Sequence, residues 1–284
     1  MRVFQKGAQR ASRRQSIPSL RLIAIAALAS VLAVGGLAAH PEVAAAAGKK
    51  VVIVVGPAGS NTSNYIYNAK KLAAQARSYG ATVSEIYTPH ATWARVRSLS
   101  QGANVFIYLG HGNGYPSPYG AFSAMSKDGL GLNATDGSSS VRYYGEYYVD
   151  HYLNFAPDSV VILNRLCYAS GDSEWGSANP TKATAIKRAD NYGAGFLRTG
   201  ARAVFAEGIS STSYILYGLF RTTRTIKQIF WSDPARKGAY DFTFSSVRTP
   251  GKVAIMDPYA PSRYYRSVIG DLSMTATTWR SAGG

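Results

Sequence analysis

Cys167 is the only cysteine of the chain, and both it and His111 come shortly after an apolar run that predicts a buried strand. The runs are residues 105–109 and 159–163. If these strands lie parallel in one sheet, both following loops emerge at its carboxyl edge, where open α/β folds place their sites. A thiol and an imidazole that meet there form a nucleophile and its general base. The sequence therefore predicts a cysteine hydrolase.

The predicted site has its other parts in the same loops. The backbone N–H groups of Gly112 and Cys167 are candidate donors of an oxyanion hole, and Asn113 and Tyr115 are candidate substrate contacts. A free thiol is only a few per cent thiolate at neutral pH, so a neighbouring imidazole makes it a better nucleophile. Such a site hydrolyses an amide or ester through a thioester acyl-enzyme, and it needs no metal or organic cofactor.

The thiol also has a purely structural interpretation, as a small buried hydrophobic group. A reactive cysteine instead needs a basic and partly open setting. The residues that follow Cys167 are Tyr, Ala, Ser, Gly and Asp, which favours an exposed strand end. One cysteine makes no intramolecular disulfide, so stability must come from core burial.

Residues 1–47 have the pattern of an export signal. A basic region at 1–21 precedes an apolar core at 22–39 and an alanine-rich cleavage region at 40–47. The alternative is an uncleaved single-span anchor, because 18 apolar residues is near the lower limit for crossing a bilayer. We expect a secreted or cell-envelope protein whose residues 48–284 form a single domain, with membrane contact only if the signal is retained.

The region after the signal is strongly basic. Residues 48–284 hold 25 of the 31 Lys and Arg residues and 14 of the 15 Asp and Glu residues, which gives a net charge near +11. For an exported protein this favours anionic wall polymers or lipid head groups as partners over nucleic acid. The alternative is that the charge only maintains solubility.

The periodicity of apolar residues predicts an α/β fold with a mainly parallel central sheet and helices on both faces. A long irregular loop is predicted at 112–141, followed by a tyrosine-rich helix at 143–153. The predicted strands are 51–55, 81–87, 104–109, 159–163, 200–206 and 252–256, and the other helices are a helix from Thr62 to Gly80, 92–100, 181–199 and 213–230.

A strand followed by His111-Gly112, with a later strand followed by Cys167 in a loop of small residues, resembles the caspase-like cysteine peptidases. That group includes metacaspases, gingipains, clostripain and legumain. The resemblance implies a caspase-like three-layer sandwich, a His111–Cys167 dyad and peptide or protein substrates. It also implies that Arg165, two residues before the cysteine, contributes to the primary specificity pocket. Arg165 would then favour acidic side chains, or it pairs with Asp172 or Glu174.

No other motif with chemistry stands out. His40 lies in the signal, His90 has no ligand set beside it, and His151 is expected at a surface. No His, Cys, Asp or Glu cluster has metal-ligand spacing. A structural calcium site on loop carboxylates such as Asp128 and Asp136 remains an alternative.

Three functions are compatible with the sequence. The first is an exported caspase-like cysteine peptidase. The second is a catalytically silent relative of that fold that acts as a cell-envelope binding module. The third is a cysteine hydrolase that acts on a cell-wall amide.

Overall fold

The computed structural model describes residues 48–282, so the predicted signal at 1–47 lies outside the described residues. The strands are β1 (Lys50–Val55), β2 (Thr82–Tyr87), β3 (Val105–Leu109), β4 (Leu130–Asn133), β5 (Val141–Tyr144), β6 (Ser159–Asn164), β7 (Ala201–Glu207), β8 (Phe242–Ser245), β9 (Val253–Met256) and β10 (Arg266–Gly270). The helices are α1 (Thr62–Ser78), α2 (Trp93–Ser100), α3 (Glu146–Tyr152), α4 (Lys182–Leu197), α5 (Ser213–Arg221), α6 (Ile226–Phe230) and α7 (Ala276–Ser281).

Eight strands form one sheet in the order β2-β1-β3-β6-β7-β10-β9-β8. The first five strands in this order are parallel, and β10, β9 and β8 add antiparallel pairs at one side. The crossovers between parallel strands run through helices, as βαβ units require. The predicted fold class, an α/β fold with a mainly parallel sheet, is confirmed.

Helices cover both faces of this sheet. In β1, Val51, Ile53 and Val55 belong to an apolar cluster that includes residues of α1, α5, α6 and α7. Val52 and Val54 belong to a second cluster with residues of α2, α3 and α4. Successive strand residues point to opposite faces, so a continuous apolar run marks a strand that is buried on both sides. The result is a three-layer arrangement of helices, sheet and helices.

Three predicted segments need correction. The predicted loop at 112–141 contains β4, which pairs with β5 in a separate two-stranded antiparallel sheet. The predicted helix at 213–230 is two helices, because Thr225 caps α6 by accepting a hydrogen bond from the Gln228 amide. The tail after Ser232 contains β8, β10 and α7 besides the predicted strand.

The tyrosine-rich helix is an aromatic packing element, as the sequence predicts. Trp93 of α2 stacks on Tyr144 at a centroid distance of 5.1 Å and contacts Tyr148 and Tyr152 edge-on. No helix among residues 48–282 is both long and apolar enough to span a bilayer.

Candidate active site

The topology brings the loops of His111 and Cys167 to the same edge of the sheet. Strands β3 and β6 are adjacent and parallel, and Leu109 lies opposite Asn164 at their carboxyl ends. His111 follows the first strand by two residues and Cys167 follows the second by three. Both residues line one open pocket of about 220 Å³. That volume is below the range of pockets for drug-sized ligands.

The two loops touch through Gly112. A Cβ atom at this position would lie 2.1 Å from the carbonyl oxygen of Cys167, a distance that real side chains do not tolerate. Glycine is therefore required for the two loops to lie this close. The Gly112 amide donates to no other backbone group among residues 48–282, and Gly112 is not among the residues that line the pocket. Its predicted role in an oxyanion hole stays a prediction.

A second close contact joins the same two loops, between Gly114 and Tyr168. A Cβ on Gly114 would lie 2.3 Å from the Cβ of Tyr168, the residue after the cysteine. Arg165 and Tyr168 both have left-handed backbone, with φ of 63° and 71°. Such conformations cost about 1–2 kcal/mol for residues other than glycine, and they cluster at functional sites. The cysteine thus sits between two strained residues that the surrounding packing holds in place.

Two buried tyrosines form hydrogen bonds with the loop that carries His111, residues 110–115, which we call the histidine loop. The hydroxyl of Tyr108 donates to the carbonyl oxygen of Gly131 at 2.7 Å and lies 3.1 Å from that of His111. The hydroxyl of Tyr192, on α4, accepts the amide of Asn113 at 3.0 Å. Burial raises the pKa of both phenols well above their usual value, so they stay neutral. The loop is therefore anchored to the central sheet and to α4.

Asn113 and its neighbours complete this support. The side chain of Asn113 donates to the Ser126 carbonyl oxygen and accepts from the Lys127 ammonium, both at 2.9 Å. The Asp128 amide donates to the Asn113 carbonyl oxygen, and the Asp128 carboxylate accepts the amide of Tyr115 at 3.0 Å. Neither Asn113 nor Tyr115 lines the pocket of Cys167. Their predicted contact with substrate stays a prediction.

Asp128 is fully buried, and its second carboxylate oxygen has no hydrogen-bond partner in the described structure. Burial raises the pKa of this carboxyl to about 8, and the nearby Glu146 carboxylate adds to the effect. Asp128 is therefore protonated at neutral pH. The neutral carboxyl accepts a hydrogen bond from the Tyr115 amide of the histidine loop and adds no negative charge beside that loop.

The environment of Cys167 favours the neutral thiol. Partial burial raises the pKa of the thiol, and the Glu174 and Asp172 carboxylates raise it further. The backbone amides of Cys167 itself and Trp175 have the opposite, smaller effect. A neutral thiol must lose its proton during attack, so a base at the pocket is needed for nucleophilic chemistry. His111 is an exposed residue of the same pocket.

Arg165 supplies an unpaired cation to the pocket. Asp172, one of its two predicted partners, instead pairs with Arg263 at 3.4 Å. Glu174, the other, accepts hydrogen bonds from the Tyr119 and Ser177 hydroxyls. The guanidinium of Arg165 forms no ion pair among the described residues, and its Nε is buried without a partner. A carboxylate or carbonyl oxygen in the pocket would be a hydrogen-bond partner for this donor.

Two large apolar side chains in the lining of the pocket are exposed. Trp175 lines it with 91 % of its surface exposed, and Ile209 is half exposed beside it. Large exposed apolar groups at a concave site are typical of contacts with a partner or ligand. Sequence reasoning missed both residues, because nothing in a local pattern distinguishes an exposed tryptophan in a loop from a buried one.

The remaining polar candidates lie elsewhere. Asp128 and Asp136 stand beyond opposite ends of β4, so they do not converge on one ion. Asp136 pairs with His90 at 2.9 Å, and His151 stacks on Tyr147 at a ring distance of 4.2 Å. Residues 48–282 contain no group of three His, Cys, Asp or Glu side chains arranged to hold a metal ion.

Comparison of the chain with protein-family models, curated proteins and solved structures finds no match. The class of the protein therefore follows from the fold and the pocket alone. It is an α/β protein with a thiol and an imidazole at the carboxyl edge of a mainly parallel sheet.

Proposed function

We propose that the protein is a cysteine peptidase of the caspase-like type, with Cys167 as nucleophile and His111 as general base. The observation that carries the proposal is that both side chains line one pocket, on loops that meet at Gly112. The α/β fold, with five parallel strands in its central sheet and helices on both faces, is compatible with this type. After residues 1–47 are removed, we expect a secreted or cell-envelope enzyme.

The reaction follows from the groups in the pocket. His111 takes the proton of the Cys167 thiol as the sulfur attacks the scissile carbonyl carbon, and the oxygen becomes an oxyanion. The Gly112 and Cys167 amides would stabilise that charge. The protonated imidazole then gives its proton to the leaving amine, and the C–N bond breaks to leave a thioester. Water attacks the thioester with His111 again as base, which releases the acid and restores the thiol. No metal or organic cofactor is required.

Two features of the pocket support a peptide as substrate. The pocket is open, and the exposed side chains of Trp175 and Ile209 in its lining offer apolar surface to substrate side chains. The unpaired guanidinium of Arg165 favours a substrate with a carboxylate next to the scissile bond.

The experiment is hydrolysis of a mixture-based peptide library by purified residues 48–284, followed by mass spectrometry of the products. Cleavage should disappear in Cys167→Ala and in His111→Ala, and a chelator should leave it unchanged. A peptidoglycan digest assayed in parallel tests the cell-wall amide alternative. Hydrolysis of the digest with intact peptides would overturn the peptidase assignment.

One observation favours a second function, a silent binding module of the same fold. Two carboxylates, Glu174 and Asp172, raise the thiol pKa, whereas a dedicated nucleophile is more often surrounded by cations. A silent module predicts no cleavage of any substrate and a thiol that reacts no faster than free cysteine at the same pH. The peptidase predicts a thiol whose reactivity depends on His111.

A further inference from the structure

A groove beside α6 is lined by cations without counter-ions. Arg224, Lys227 and Arg236 line it together with Thr225 and Trp231. The three cationic side chains are exposed, and none of them takes part in an ion pair within residues 48–282. No carboxylate is among the lining residues. The groove therefore carries a local charge of +3.

The groove begins at the edge of the sheet opposite to Cys167. Thr225 forms a backbone bridge with Thr275, which lies shortly after β10. The last residue of β10, Gly270, lies opposite Ala203 near the start of β7, where the parallel strands begin. Cys167 follows the end of β6, at the other edge. The groove shares no lining residue with the pocket of Cys167, so a ligand in the groove contacts a different surface.

Nearby carboxylates do not neutralise this surface. Asp233, at the end of α6, is buried and pairs with Arg266 at 3.1 Å. Asp271 lines an adjoining depression that shares Thr225 and Lys227, but it pairs with Arg202 at 3.0 Å. The positive potential of the groove is therefore available to a ligand.

We propose that this groove binds a linear polymer whose charges are phosphate groups. Arginine forks and lysine ammonium groups are the side chains that bind phosphate best, and an open groove accepts a chain rather than an isolated ion. The net charge near +11 of residues 48–284 would draw such a polymer to the protein. Apart from the half-buried Trp231, no large apolar side chain lines the groove. A membrane surface, which gains affinity from apolar insertion, is therefore the weaker partner.

The test measures binding of labelled inorganic polyphosphate to residues 48–284 by fluorescence anisotropy at several salt concentrations. The groove variant is Arg224→Gln, Lys227→Gln and Arg236→Gln combined. Its matched control removes three exposed cations from α1, α2 and α4, through Lys70→Gln, Arg95→Gln and Lys187→Gln. Both variants lose the same net charge. Vesicles of anionic phospholipid are assayed alongside, and circular dichroism verifies that every variant is folded.

The proposal predicts that the groove variant loses at least tenfold in affinity at low salt while the control loses much less. The slope of log K against log salt should fall by about 2 to 3 in the groove variant, because each cation–phosphate contact contributes roughly 0.7–0.9 to that slope. Equal losses in the two variants would show that only net charge matters and would overturn the proposal. Binding to vesicles but not to polyphosphate would also overturn it. Cys167→Ala should bind as wild type does, so this result is independent of the peptidase assignment.

Discussion

Replacing Asp128 with asparagine should change how the stability of the protein depends on pH. Burial raises the pKa of this carboxyl from 3.8 to about 8, so the folded state keeps a proton that the unfolded state releases. Between pH 5 and 7 the folded protein therefore binds one proton more. The free energy of unfolding must fall as pH rises, by about 1.4 kcal/mol per pH unit from this group, or about 2.7 kcal/mol over the interval.

Asp128→Asn has no proton to release and keeps an acceptor for the Tyr115 amide. The variant should therefore gain about 2.7 kcal/mol relative to wild type between pH 5 and pH 7. Glu207 is also buried, and its pKa is raised to about 7. It therefore also makes the free energy of unfolding fall as pH rises. That effect is common to both proteins and cancels in the difference.

The assay is urea unfolding of both proteins at pH 5, 6 and 7, with the free energies extrapolated to water. Asp241→Asn, at an exposed position, measures the effect of removing a surface charge. A difference between Asp128→Asn and wild type that is the same at all three pH values would mean that Asp128 is ionised in the folded protein. The conclusion that Asp128 binds the histidine loop in its neutral form would then be wrong.

Three further changes test the pocket. Gly112→Ala should lower the melting temperature and abolish peptide cleavage, because its Cβ would collide with the Cys167 carbonyl and overpacking costs about 1–3 kcal/mol; an unchanged melting temperature in calorimetry would contradict the contact. Arg165→Gln should reduce cleavage of peptides with an acidic residue before the scissile bond at least tenfold relative to neutral peptides, measured as kcat/KM; a uniform reduction would argue against recognition by charge. Glu174→Gln should lower the thiol pKa, because that carboxylate raises it; alkylation of Cys167 followed against pH should then show an earlier midpoint, and an unshifted midpoint would count against the electrostatic account.

The sequence predicted the parallel part of the sheet well. Residues of β1, β3 and β6 are buried on both faces, and continuous apolar runs reveal such strands without knowledge of their partners. The convergence of the His111 and Cys167 loops on one edge followed from that strand order. Helix α1 was equally clear, since its apolar residues recur at helical spacing and end before Gly80.

Of the three antiparallel strands, only β9 was predicted, as the strand at 252–256. Strand β10 joins the parallel part of the sheet by pairing with β7, which comes before α5 and α6 in the sequence. Strand β10 begins with Arg266, a residue that argues against a buried strand in isolation. In the structure Arg266 is buried against Glu207, Asp257 and Asp233, so its charge is compensated by residues from three other segments. Strand β4 is short and contains Gly131, and only its pairing with β5 makes it a strand.

Local sequence patterns also did not predict which residues hold the candidate site in place. Tyr192 and Asp128 reach the histidine loop from a helix and from a turn, through hydrogen bonds that depend on tertiary packing. The amide of Asn113 is hydrogen-bonded to Ser126 and Lys127, which local sequence did not indicate. Polar residues at a predicted site therefore include many that hold the loop in place.

The most direct test of the central claim is the rate at which a small alkylating reagent modifies Cys167 as a function of pH, in wild type and in His111→Ala. If the imidazole acts as base for the thiol, wild type should react at neutral pH several times faster than free cysteine. His111→Ala should react slowly at neutral pH. Its rate should rise only above pH 9.0, the ordinary thiol pKa, because burial and the Glu174 carboxylate raise the pKa of Cys167. Superimposable curves for the two proteins would show that the histidine does not act on the thiol, and the peptidase assignment would fail.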